Sequence, residues 1–207
     1  MKIGRLIQNH LLKRRLIFCS YTIPNAPNVL PGAFGYSLFG QSDILNEPAV
    51  RALLPMSVRI DQLEDESLFC LACHEEATAS LVGVGFLLAP RAKSLWYDNV
   101  VLRPGEARCF GDYVNPAFRG RGIGSALNAE RIRLAMQEIG VSRTSAIVES
   151  FRTPALKAQS KYSKRCGTNL LIKLFKRNVI SICFGQPYRG VWYVGPGRQR
   201  SWHVEQF

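Results

Sequence analysis

Gly120, Gly122 and Gly124 are crowded into the string Arg119-Gly120-Arg121-Gly122-Ile123-Gly124-Ser125, and this cluster constrains the chain more than any other feature. Upstream, Glu106 to Asn115 reads as a strand. Downstream, Ala129, Ile132, Ala135, Met136 and Ile139 recur at helical spacing, and Gly140 stands where a left-handed C-cap belongs. The glycines therefore occupy a strand-to-helix turn. Such a turn aims several backbone N–H groups outward at the positive end of a helix dipole, and glycine admits a phosphate where a Cβ would block it. Arg119 and Arg121 add charge at the same place, so the string predicts a diphosphate cradle. A glycine-rich turn that holds no ligand satisfies the same pattern. A Walker loop would need Gly-Lys-Ser or Gly-Lys-Thr, which is absent, and the glycine spacing differs from a dinucleotide fingerprint even though Glu149 ends the next strand.

The rest of the chain reads as a mixed α/β domain around one largely antiparallel sheet flanked by helices, with residues 1–207 as a single unit and residues 106–167 as its core. Ile3, Leu6, Ile7 and Leu11 have the spacing of a short amphipathic helix. Tyr21 to Asp43 reads as a long loop, and Glu47 to Leu63 as short helices broken at Pro55. Ser67–Cys73 and Leu81–Ala89 form the arms of an antiparallel hairpin, and Leu95–Leu102 is a further extended segment. After the long helix come a strand over Thr144–Val148, a helix opening at Thr153-Pro154 and running toward Gly167, and two closing strands, Leu170–Phe175 and Val179–Phe184. The longest apolar run, Leu81 to Pro90, is about half of the roughly 20 residues a membrane span requires, so no span is expected. Six cysteines without a secretory signal read as reduced thiols of a cytoplasmic protein.

The order Arg-Gly-Arg-Gly-Ile-Gly, with Val114-Asn115-Pro116 ahead of it and a strand and second helix behind, resembles the GNAT superfamily of acyl-CoA-dependent N-acyltransferases. Arg119, Gly122 and Gly124 match its R/Q-x-x-G-x-G/A signature. The resemblance implies that residues 119–125 hold the pyrophosphate of acetyl-CoA and that the strand backbone at Tyr113, Val114 and Asn115 pairs with the pantetheine arm. It also implies a thioester carbonyl polarised by a backbone N–H near Val114, with direct attack by a primary amine through an oxyanion-stabilised tetrahedral intermediate. No metal is implied.

An alkyl amine with a pKa of roughly 10 is mostly protonated at neutral pH, so the reaction benefits from a base. Strand alternation puts Glu106, Arg108, Phe110, Asp112 and Val114 on one face, making Glu106 and Asp112 the candidate bases. By the same resemblance, Tyr162 is the candidate acid for the departing thiolate. The family's Asn is missing at Arg152-Thr153-Pro154-Ala155, and Tyr162 lies five residues before Gly167 rather than four.

Charge widens the choice of partner. The formal charge is +12, and between Glu149 and Glu205 there is no carboxylate, whereas Lys and Arg recur from Arg152 to Arg200. A solvated basic face accounts for this, and so does an anionic acceptor or surface. Two alternatives to acetyl-CoA-dependent transfer follow. One is an acyl carrier protein as donor; the other is a binding module for nucleic acid or an anionic surface with a vestigial coenzyme site, nucleic acid being the less expected partner. The acceptor is a small-molecule or peptide amine. Cys70-Leu71-Ala72-Cys73-His74 looks metal-like, but strand residues three apart point to opposite faces. Trp192, Tyr193 and Trp202 among Arg189, Arg198 and Arg200 could stack bases or pack on the sheet.

Overall fold

The computed structural model describes residues 12–24, 33–55, 58, 60, 63, 66–97, 100–174, 178–185 and 190–194. Its strands are β1 (Leu12–Ser20), β2 (Phe34–Phe39), β3 (Leu68–Glu75), β4 (Leu81–Leu88), β5 (Leu95–Tyr97), β6 (Val100–Leu102), β7 (Glu106–Val114), β8 (Arg143–Glu149), β9 (Lys164–Leu174), β10 (Asn178–Phe184) and β11 (Gly190–Val194). The helices are α1 (Gln41–Asn46), α2 (Pro48–Arg51), α3 (Ile123–Gln137) and α4 (Thr153–Ser160). Nine strands form one sheet in the order β11-β10-β9-β1-β8-β7-β4-β3-β2, and β5 and β6 form a separate pair. Within the large sheet β7 and β8 are parallel and the other pairings antiparallel, which is the mixed, largely antiparallel sheet expected.

Alternation along β3 and β4 divides the core between two faces. Cys70, Ala72, Val84 and Phe86 pack with Ile44, Val50 and Tyr97 on one side, whereas Leu71, Cys73 and Val82 meet Ile123, Ala126 and Leu127 of α3 on the other. Cys70 and Cys73 thus belong to opposite faces. Burial pushes their thiols up, to about 12 and about 11, as it does Cys183, to about 11.

Several expectations needed correction. Leu12–Ser20, for which no element was expected, is a strand at the middle of the sheet, and Phe34–Phe39, inside the stretch read as loop, is its edge strand. Leu95–Leu102 is divided between β5 and β6. The helix opening at Thr153 ends at Ser160, because Lys164 to Gly167 are already pairing with Cys19 to Ile17 on β1. That pairing brings Cys19 and Cys166 together as a disulfide with Cα atoms 5.9 Å apart, so these two are not the reduced thiols expected, while Cys70, Cys73, Cys109 and Cys183 are free and buried. The N-terminal amphipathic helix and Arg189, Arg198, Arg200 and Trp202 fall outside the described residues. Among the described residues no helix is long and apolar enough to cross a membrane.

Candidate active site at the splayed strands

The parallel pair is short. β7 and β8 are in register only from Glu106↔Arg143 to Cys109↔Ala146; beyond that β7 continues to Val114 on β4 and β8 continues to Glu149 on β1. The two strands therefore part toward their C-terminal ends, and a gap opens in the sheet beside the glycine turn.

A bulge in β7 contributes to the parting. Val84↔Tyr113 and Phe86↔Phe110 are paired, which leaves Gly111 and Asp112 opposite the single residue Gly85. Gly111 has φ +63°, a left-handed conformation that suits glycine. The guanidinium of Arg131, 1% exposed, fills the bulge from α3. Its Nη1 donates to the carbonyls of Phe86 (2.9 Å) and Phe110 (3.1 Å), one on each strand, and its Nη2 forms an ion pair with Asp112. Burial alone would pull the Arg131 pKa down, but the Asp112 carboxylate more than offsets this and holds it above its ordinary value. Gly85 leaves the necessary room, since a Cβ there would stand 2.7 Å from Arg131 Cζ. Sequence reading missed Arg131, which looks like one more polar residue on an amphipathic helix.

Past the bulge, Asn115 N–H donates to Val82 O on β4 (2.8 Å), so the alternation of the ladder turns the N–H and C=O of Val114 to the open side. There the Val114 carbonyl accepts from Arg119 Nε at 3.2 Å. Asn115 Oδ1 accepts from Ala117 N–H (3.1 Å) and fixes the short 3₁₀ turn Pro116–Phe118 that carries the chain to the glycines. Gly120 and Gly122 have φ +81° and +83°, and a Cβ added at either would meet open space. Gly122 is the N-cap of α3. Ser125 is buried in the first turn, while Arg119 and Arg121 are exposed, the latter with its guanidinium 5.2 Å from the Phe118 ring centre. The residues of the turn fit a diphosphate: left-handed glycines with unobstructed backbone, a helix N-terminus and two exposed cations.

The other expected site residues are placed as follows. Asp112 lies at the splayed end with its side chain 55% exposed. Glu106 lies at the paired end, six residues away or roughly 20 Å along the strand, and is not brought to the gap. Its carboxylate is buried against Arg143 and also accepts from Arg103 N–H (3.3 Å). Tyr162 stands in the turn after α4 rather than within the helix, with its carbonyl accepting from Ser20 Oγ at 3.0 Å. Burial pushes the Tyr36 phenol up, with Cys73, Glu130 and Tyr162 adding to the effect. Two surface clefts of about 520 and 530 Å³ share Phe69 and Arg91, and the first is lined by Glu138 to Val141. That is the far end of α3, about 20 Å from the turn, so the first cleft does not adjoin the splay.

Comparison with known proteins agrees with this geometry. No curated protein matches the sequence. Among solved structures, a GCN5-related N-acetyltransferase from Sphaerobacter thermophilus aligns with TM-score 0.51 and 17% identity over 79% of this chain and 53% of that one. A tandem GNAT protein from the clavulanic acid biosynthesis pathway aligns with TM-score 0.51 and 12% identity over 74% of this chain and 50% of that one. At such identities the likeness is one of fold, and the chain spans about half the length of these structures. The profile of the Acetyltransferase (GNAT) family matches residues 41–167, which takes in α1, the bulged strand, the glycine turn, α3 and α4, and the chain belongs to that family.

Proposed function

We propose that the protein is an acyltransferase that takes an acetyl group from acetyl-CoA and delivers it to a primary amine. The observation that carries this reading is the early end of the β7–β8 pairing, which leaves the Val114 N–H facing an open gap next to the left-handed glycines. Residues 119–125 would hold the diphosphate and Tyr113 to Asn115 the pantetheine arm. Acetyl-CoA supplies an acyl group activated as a thioester. The Val114 N–H is oriented to donate to the acyl oxygen as negative charge grows on it, a contribution that needs no reorganisation during the reaction. Of the two carboxylates, Asp112 is the base we assign, because it stands where the strands part. It removes a proton from the acceptor ammonium; the amine nitrogen then bonds to the acyl carbon, the carbon–sulfur bond breaks as Tyr162 gives its proton to sulfur, and the second proton lost by the nitrogen restores the Tyr162 phenol. The setting is intracellular, where acyl-CoA is supplied.

The test combines binding and turnover. Acetyl-CoA should raise the melting temperature of the wild type, and Gly122→Glu, which places a carboxylate in the cradle, should abolish the shift. An amine panel followed by CoA release should reveal the acceptor, with kcat lowered in Asp112→Asn and unchanged in Glu106→Gln enzyme that remains folded. Absence of any acetyl-CoA shift in the wild type would refute the reading.

A further inference from the structure

Asn128 is 2% exposed, and neither its Oδ1 nor its Nδ2 has a hydrogen-bond partner among the described residues. Buried polar groups are ordinarily satisfied, and a side-chain amide with both ends orphaned lowers stability compared with an apolar residue of the same size. A leucine would serve the helix better on both propensity and burial. The amide therefore invites an explanation outside the free fold.

Its direction follows from the helix. Gly124, Asn128, Arg131 and Ala135 are spaced i, i+4, i+7 and i+11 and form one stripe along α3. The other three are fixed by contacts. A Cβ on Gly124 would lie 3.6 Å from Val114 Cγ2, Arg131 reaches Phe110 O and Asp112, and Ala135 packs in a cluster with Ala107, Cys109 and Ala146. The stripe thus runs along β7 and onto β8. Between Gly124 and Arg131 it passes the stretch from Val114 back to the bulge, where β7 is no longer joined to β8. Asn128, between Gly124 and Arg131 on the stripe, stands beside this stretch.

We infer that Asn128 is a ligand-binding residue whose side-chain amide engages a secondary amide of the pantetheine arm in the gap between β7 and β8. The inference rests on the coenzyme reading proposed above and adds a residue to it. The chemistry selects the ligand group. Nδ2 donates and Oδ1 accepts side by side, and a secondary amide offers the matching acceptor and donor, whereas a diphosphate offers acceptors alone and an ammonium donors alone. Pantetheine contains two such amides.

The experiment uses the full chain with acetyl-CoA and ADP as probes, the second lacking the pantetheine arm. Asn128→Leu should raise the melting temperature of the free protein, weaken acetyl-CoA binding by about tenfold in titration calorimetry, and leave ADP binding unchanged. Asn128→Asp, which keeps the shape and removes the donor, should show a similar loss and serves if the leucine variant fails to fold. Wild-type affinity for acetyl-CoA in both variants would overturn the inference while leaving the coenzyme reading intact. Equal losses toward acetyl-CoA and ADP would also overturn it, because the effect would not come from the arm. A wild type that binds neither probe would remove the coenzyme reading and this inference together.

Discussion

Gly85 and Arg131 define each other at the centre of the molecule. The guanidinium bonds to carbonyls that the β7 bulge has displaced from the ladder, and it can do so only because residue 85 has no side chain. Gly85→Ala should cost about 1–3 kcal/mol, the usual range for forcing extra atoms into a filled site. Arg131→Ala should cost about 2–4 kcal/mol, below the range for a fully buried ion pair because Asp112 is half exposed. The two changes should not add. With the guanidinium gone, the methyl group introduced by Gly85→Ala enters vacated space, so the double variant should be more stable than the sum predicts; additive denaturation energies would argue against the arrangement. Asp112 loses its partner in Arg131→Ala, so catalytic activity should fall with stability.

At the scale of elements, β8 is fastened to β1 at the splayed end by charge as well as by the ladder. Burial works against the Glu149 carboxylate, but Lys13 (3.2 Å) and Arg152 (2.8 Å) outweigh it and hold its pKa below the usual carboxylate range. A carboxyl whose pKa is lowered on folding contributes stability that is full above the unfolded-state value of about 4.3 and is lost as the pH falls through the folded one. Denaturation measured from neutral pH downward should therefore show a shallower acid loss in Glu149→Gln than in the wild type, and the two should converge at low pH. An identical acid slope would mean that the pair is not formed. The effect should also shrink in high salt, since Lys13 and Arg152 are substantially exposed.

Across the whole molecule, the disulfide joins Cys19 and Cys166, 147 positions apart. A cross-link closing so long a loop restricts the unfolded chain, and typical contributions are about 2–4 kcal/mol. Reduction should lower the unfolding midpoint of the wild type and leave that of Cys19→Ser unchanged; a midpoint insensitive to reductant would exclude the bond in solution. Spacing could not have revealed this pair, because only the adjacency of β1 and β9 makes them neighbours. The same is true of β1 itself, whose run Leu12-Lys13-Arg14-Arg15-Leu16 shows no strict alternation and became a central strand through partners located more than a hundred residues away. Other features were local and therefore readable: the glycine turn, the long helix behind it and the hairpin of β3 and β4 all follow from left-handed glycines and from hydrophobic periods within a few residues of one another. Whether Glu106 or Asp112 reaches the gap, by contrast, was undecidable from alternation, which put both on one strand face; the bulge shifts the alternation, so that Phe110 packs with Phe86 on one side while Asp112 and Val114 turn to α3 on the other. By itself the sequence determined the glycine turn and the class of fold around it. Only the tertiary structure decided which groups meet there, because the bulge at Gly111, the parting of β7 from β8 and the insertion of Arg131 depend on contacts between segments that sequence order does not bring together.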